Sequence, residues 1–178
     1  EAIPSSPELV LDRVVAFADG ALVSGSLQSA SPVSGVGEVG EDPQSPALGP
    51  YVSSPYAWLA GEGRSELHVF GGSDTHFVHQ GEWAGRPSVD PLGNVWALGA
   101  DGFIYFFAGG EGEAVRVAAG PGEDKVSEVS VSPDGARIAL LVGDGVWVGT
   151  IAYDGDAAAP AIRALAPEER LAEATVSV

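Results

Sequence analysis

The sequence predicts an all-β protein: a β-propeller, or a fragment of one, built of four-stranded antiparallel blades. Three observations support this fold class. Short runs alternate apolar and polar residues with the period of a half-buried strand. The chain holds 25 Gly and 13 Pro, far more than helices tolerate. One turn motif also recurs along the chain, which is the mark of repeated blades.

The clearest unit is the stretch 126–149, VSEVSVSPDGARIALLVGDGVWVG, which reads as three strands joined by two tight turns. In the first turn, Ser132-Pro133-Asp134-Gly135, proline presets φ and glycine accepts a positive φ. The second turn is centred on Gly143-Asp144-Gly145. Glycine and β-branched residues are dense and no 3.6-residue period appears, so a helix is not expected here.

The same motif occurs earlier, because Ser88–Gly93 aligns with Ser130–Gly135, with Pro and Gly in matching places. We therefore predict a single domain over residues 1–178, with a lead-in at 1–10 and a long surface loop at 26–50. Blade units are predicted at about 11–34, 51–80, 86–118 and 126–166, followed by a terminal strand at 171–178. Pairing of Ala174–Val178 with Val14–Phe17 would close a four-bladed ring. A fragment of a larger propeller is the alternative, and the sequence leaves both open.

The net charge of −17 narrows the range of partners. Nucleic-acid binding depends on Lys and Arg neutralising phosphates, and an anionic membrane surface needs the same basic residues. Neither partner is therefore expected. The chain has no Cys, which excludes disulfides and thiolate zinc sites.

The three histidines, His68, His76 and His79, fall in one blade unit. His76 and His79 are three residues apart, which on a strand places them on opposite faces and argues against a shared metal. We expect partly exposed strand histidines. Asp154-Gly155-Asp156 resembles the start of a calcium loop, but the residues that follow supply no further oxygen ligands, so a turn is expected. No metal or cofactor is predicted.

Trp58, Trp96 and Trp147 occupy similar places in successive units, which indicates side chains packed between blades. An exposed platform on which sugars stack is the alternative. Trp83 differs, because it lies in the predicted inter-blade linker Gly81–Gly85.

Three neighbouring residues in and beside that linker, Trp83, Glu82 and Arg86, form the candidate partner-binding rim. Catalytic residues are not predicted, because the G-x-S-x-G and P-loop motifs are absent.

The two aligned units resemble a known family. The segment 86–96, RPSVDPLGNVW, is followed by Val131–Ala139 and by Val146-Trp147-Val148-Gly149. Together they resemble the C-terminal β-propeller of LpqB-type lipoproteins of actinobacteria, over roughly residues 11–178. The resemblance implies an extracytoplasmic protein tethered through a lipidated N-terminal Cys, with a GerMN-type domain before the propeller. It also implies an accessory role beside a two-component sensor kinase in cell-envelope homeostasis. The chain lacks both the Cys and the GerMN-type part.

These observations predict a non-enzymatic, extracytoplasmic interaction module that binds a protein partner, with a sensor histidine kinase ectodomain as the candidate. The alternative is a carbohydrate-binding or carbohydrate-active propeller of the cell envelope. The two hypotheses differ in what they require of the tryptophans: the first needs Trp58, Trp96 and Trp147 buried between blades, and the second needs aromatic rings on an open face.

Overall fold

The structure is a computed structural model that describes residues 13–26, 28–51, 53–71, 75–119, 126–153 and 159–167. Three predicted features lie outside the described residues: the lead-in 1–10, the Asp154–Asp156 turn and the terminal strand 171–178. The predicted ring closure through Ala174–Val178 lies outside them as well.

The described residues form four antiparallel sheets joined in chain order. The first sheet has the strand order β1-β2-β3, and the others are β4-β5-β6-β7, β11-β10-β9-β8 and β12-β13-β14-β15. The predicted all-β fold of antiparallel blades is confirmed. The strands are β1 (Arg13–Ala18), β2 (Ala21–Ser26), β3 (Ser29–Pro32), β4 (Gln44–Leu48), β5 (Tyr56–Ala60), β6 (Glu66–Gly71), β7 (Thr75–Gln80), β8 (Trp83–Val89), β9 (Val95–Gly99), β10 (Phe103–Phe107), β11 (Val115–Ala119), β12 (Val126–Val131), β13 (Arg137–Val142), β14 (Gly145–Ala152) and β15 (Ala161–Pro167).

The sheets pack face to face, and their first strands β1, β4, β8 and β12 are successive neighbours along the inner side. Three apolar cores fill the gaps between the four sheets. The second and third sheets are covered on both faces, which explains why every residue of Tyr56–Ala60 and of Val95–Gly99 is buried. A strand buried on both sides needs a continuous apolar run rather than alternation.

The turns between the first two strands of neighbouring sheets also fit into one another. Gly93 faces Pro55 of the preceding sheet, and a Cβ at Gly93 would lie 3.5 Å from the Pro55 Cδ. Gly135 faces Pro91 more closely, since a Cβ there would lie 2.9 Å from the Pro91 Cγ. The recurring Pro and Gly therefore do more than close each turn, because they also set how near adjacent turns approach.

The second sheet begins earlier than predicted. β3 (Ser29–Pro32) and β4 (Gln44–Leu48) lie within the predicted loop 26–50. Where the second blade unit is predicted to begin, a turn is found instead, in which the Ser54 N–H donates to the Tyr51 carbonyl at 3.0 Å. The sequence QSPAL of β4 hides its strand character, because its Ser and Pro are typical of loops. Its pairing with β5 shifts register between Gln44 and Ala47, which further breaks the alternation.

Substitution of Gly135 by Ala is expected to destabilise the chain more than the same change at Gly102. Both glycines have positive φ, +70° and +82°, so each alanine is strained by on the order of 1 kcal/mol. Only at Gly135 does the new methyl also press on Pro91, because nothing lies within 4 Å of a Cβ at Gly102.

Urea denaturation of both variants would measure the difference, which we expect to be about 1 kcal/mol or more. Equal destabilisation would show that the contact between the two turns contributes nothing.

Candidate functional site

Trp83, the aromatic residue of the predicted rim, is not in a linker and its ring is not exposed. It is the first residue of β8 and is 7% exposed. Its Nε1 donates to the His79 carbonyl at 3.2 Å, and its ring meets Tyr105 and Phe107 edge to face. Trp83 therefore belongs to the core between the second and third sheets. The glycines on either side made a buried strand start look like a linker.

Glu82 and Arg86, the two charged residues of the rim, are exposed but line different cavities. Glu82 borders a pocket of about 340 Å³ that also contacts Asp101 and Tyr105. Arg86 borders a groove of about 420 Å³ on the inner side of the array. Trp83 lines the same pocket as Glu82, so the structure brings these two predicted residues together and places Arg86 on a different cavity.

The inner groove lies where β4, β8 and β12 approach one another. Its two charged side chains are Arg86 and Glu128, both exposed. The Glu128 Oε2 accepts a hydrogen bond from the Arg86 backbone N–H at 3.3 Å. The Val131 N–H donates to the Ser88 hydroxyl at 2.9 Å, which ties β12 to β8 a few residues further on. The groove wall includes residues of three sheets: Ala47, Leu48, Pro50, Pro87, Ser88, Val89, Val129, Ser130, Val131 and Pro133.

The tryptophans predicted to pack between blades do so. Trp58 and Trp96 are both 0% exposed, and Trp147 is half-buried against the same core as Trp96. Trp58 faces the first sheet, where Phe17 meets it edge to face at 6.3 Å. A sugar-stacking platform made of these three rings is therefore wrong.

The histidines separate by face as predicted, but one is more buried than expected. His76 faces Trp58, whereas His79 packs on Phe107 on the opposite face. Both are half-buried. His68 is only 4% exposed, which corrects the expectation of partial exposure. It lies under a segment of the predicted loop 26–50, and a loop that covers a strand leaves no periodic signal in the sequence.

The turn after β8 carries a buried carboxylate that the sequence presented only as part of a turn. The Oδ1 of Asp90 accepts from the backbone N–H groups of Leu92 and Asn94 at 2.9 and 3.0 Å. Its Oδ2 accepts from the Asn94 side chain, the Trp96 Nε1 and the Tyr153 hydroxyl at 2.9, 3.1 and 3.0 Å. Burial of the hydroxyl and the neighbouring Asp90 charge raise the pKa of Tyr153. Tyr153 follows β14, so this carboxylate connects the third and fourth sheets.

The described part of the chain contains no group of three or more His, Asp or Glu side chains arranged to hold a metal ion. Within those same residues, no helix has the length and apolar character that crossing a membrane requires.

Four stacked antiparallel sheets, with apolar cores between them and Pro–Gly turns at their inner side, define a propeller-type protein. The chain belongs to the family of the lipoprotein LpqB beta-propeller domain, which it matches over residues 20–177. This confirms the resemblance drawn from the sequence. No curated protein matches the chain in sequence.

Among solved structures, the chain is similar to two of Hsv2 from Kluyveromyces lactis. Each has 12% sequence identity and a TM-score of 0.48. The similarity covers 82% of this chain and 47% or 48% of the Hsv2 chain. The chain therefore spans about half the length of these structures.

Membership of the family has two broad consequences. A lipoprotein domain family implies a parent protein that is anchored to a membrane and lies outside the cytoplasm. The family is also not known as an enzymatic one.

Replacing Asp90 with Asn is expected to destabilise the chain by about 3 kcal/mol. The amide would turn two donor hydrogens toward groups that are themselves donors, and buried donors left unsatisfied are costly. Tyr153→Phe removes the hydrogen bond that the hydroxyl donates to Asp90 and the longer one, 3.5 Å, that it accepts from the Asn94 side chain. It leaves no donor facing a donor, so it should cost only about 1 kcal/mol. Urea denaturation of both variants and of their combination would measure these changes.

Asp134→Asn, in the corresponding exposed turn of the fourth sheet, is the matched control and should have little effect. Equal stability of the Asp90→Asn variant and the control would contradict the structural role of Asp90.

Proposed function

We propose that the chain is a non-enzymatic interaction module that binds a protein partner outside the cytoplasm, with the inner groove as the contact surface. The observation that carries this proposal is the groove itself. It presents two exposed side chains of opposite charge, Arg86 and Glu128, on a wall built from three sheets. Paired opposite charges favour a partner whose own surface alternates in charge, and they select its orientation.

The character of the groove supports a protein ligand over a small molecule. Its wall carries three prolines, Pro50, Pro87 and Pro133, whose backbones lose little freedom when a partner binds. The surrounding surface belongs to a chain of net charge −17, which repels anionic partners and favours approach by a basic one. Among the described residues that line the groove, Arg86 is the positively charged one, and a partner carboxylate can align against it.

The partner we propose is the ectodomain of a sensor histidine kinase, with the parent protein acting as its accessory in cell-envelope homeostasis. This part rests on the resemblance to LpqB-type lipoproteins. It fits a parent protein anchored outside the cytoplasm, where such ectodomains lie.

Arg86→Glu in the full-length parent is expected to weaken binding to the purified kinase ectodomain about tenfold or more. Reversing a charge inside a complementary surface slows association and leaves like charges facing each other. Arg137→Glu is the matched control, because Arg137 is also exposed but lies on β13, away from the groove. Biolayer interferometry at two salt concentrations would give the association and dissociation rates of each variant.

Glu82→Lys tests the separate pocket that borders Glu82. An unchanged affinity there, with loss at Arg86, would place the contact in the groove. Absence of binding by the unsubstituted parent would remove the kinase from the proposal, and equal loss in Arg86→Glu and Arg137→Glu would remove the groove.

A further inference from the structure

A third cavity, of about 570 Å³, lies between the second sheet and the segment 33–41. We call this segment the strap. Its two central apolar residues, Val36 and Val39, are buried in the core between the first two sheets. The titratable groups that face the cavity come from the strap, from β6 and β7 and from the turn before β6: Glu38, Glu41, Glu62, Glu66, His68 and His76.

Three polar contacts hold the strap against the sheet, all through its backbone carbonyl groups. The Trp58 Nε1 donates to the Val39 carbonyl at 2.8 Å, and the Gly61 N–H donates to the Glu41 carbonyl at 2.7 Å. The ring of His76 hydrogen-bonds to the backbone of Val36. The strap also passes directly over His68, since a Cβ at Gly40 would lie 3.0 Å from the His68 Nε2.

The two histidines beneath the strap form a continuous chain of hydrogen bonds. The His68 Nε2 lies 2.9 Å from the Glu66 Oε2, and the His68 Nδ1 lies 2.9 Å from the His76 Nε2. Because the His76 Nε2 is engaged by His68, Nδ1 is the ring nitrogen that remains for the hydrogen bond to the Val36 backbone. That hydrogen bond acts to raise the pKa of His76, so Val36 accepts through its carbonyl group. These hydrogen bonds thus connect the Glu66 carboxylate, through two imidazole rings, to the strap.

The hydrogen bonds that link Glu66, His68, His76 and Val36 require a definite number of protons. The hydrogen bond from His68 to the Glu66 oxygen needs one proton, and the hydrogen bond from His76 to the Val36 oxygen needs another. The hydrogen bond between the two rings needs a third. An ionised Glu66 and two neutral histidines supply only two protons. When all three hydrogen bonds are formed, the group therefore holds one additional proton, which is shared among the two rings and the carboxyl group. A fourth proton would place N–H groups of both rings against each other at 2.9 Å.

We propose that the strap is an acid-sensitive closure. It is held while the His68–His76 pair shares a single additional proton, and it is released when the second ring is protonated as well. Release breaks the bridge between the rings, and His76 then turns away and gives up the Val36 carbonyl. The carboxylates of Glu38, Glu41 and Glu62 face the same cavity and favour uptake of that second proton once the rings separate.

The electrostatics of the pair agree with this sequence of events. Burial, together with the charge on His68, lowers the pKa of His76 below its ordinary value of 6.5. Hydrogen bonds from His68 and Gln80 lower the pKa of Glu66, which keeps it ionised. Because the folded state resists the proton that the unfolded chain accepts near pH 6.5, the contribution of His76 to stability is present above that pH. It is lost as the pH falls through the lowered pKa.

Release of the strap would uncover Trp58, which is now completely buried. Its ring stacks on that of His68, with centroids 5.1 Å apart, and lies tilted against that of His76, with centroids 5.3 Å apart. Release would also free the Trp58 Nε1. The inference is independent of the proposed groove contact, because the strap and the groove share no residue.

Hydrogen exchange of the strap amides at pH 6.5 and 5.0, corrected for the intrinsic change in exchange rate, tests the proposal. We expect local opening to increase about tenfold at the lower pH, the effect of roughly one unit of proton linkage. His76→Gln should abolish this dependence, because glutamine cannot be protonated. His79→Gln is the matched control, since His79 lies on the same strand but faces away and contacts the Gly110 carbonyl at 2.9 Å.

An unchanged opening of the wild-type strap between the two pH values would overturn the proposal, as would equal behaviour of the two variants. A titration of the wild-type chain followed by NMR keeps the test informative if His76→Gln does not fold. The ring protons of His76 should then titrate below pH 6.5, together with the indole N–H of Trp58. Titration of His76 without any response at Trp58 would show that the strap does not open.

Discussion

The burial of both faces of the second and third sheets is the constraint on which the rest of the structure depends. A single antiparallel sheet in water needs one apolar face, but the second and third sheets here are covered on two. The residues of Tyr56–Ala60 and Val95–Gly99 meet this demand with continuous apolar runs, and all of them are buried. Each sheet therefore depends on its neighbours to keep its apolar residues out of water. Every apolar core between two sheets is built from residues of both.

Polar contacts then set the spacing that apolar packing leaves undetermined. At the inner side, Gly135 and Pro91 fix how closely two successive turns approach. Next to them, the Ser88 hydroxyl accepts from the backbone of Val131 in the adjacent sheet. These contacts leave the inner groove as the place where three sheets present side chains together. Surface features that depend on such convergence cannot belong to one blade alone.

The sequence predicted the blades better than it predicted the surfaces. Strands with period-two alternation and a Pro–Gly turn, such as Val126–Val131, were recognisable because both signals are local. The strand Gln44–Leu48 was missed because it begins with polar residues and its pairing contains an irregularity. The burial of Trp83 and of His68 depends on segments far along the chain, so nothing in their own neighbourhood reports it. The inner groove was invisible for the same reason, although one of its residues, Arg86, was selected.

The carboxylate of Asp90 has a consequence for the order in which the molecule assembles. Four of its five donors come from its own turn and the start of the next strand, and they are at hand once the third sheet forms. The fifth, the hydroxyl of Tyr153, arrives only when the fourth sheet docks. Detachment of the fourth sheet would remove this donor and open the apolar core between the two sheets, so the third sheet would lose stabilising contacts as well. The two sheets should accordingly melt as one cooperative unit rather than peel apart.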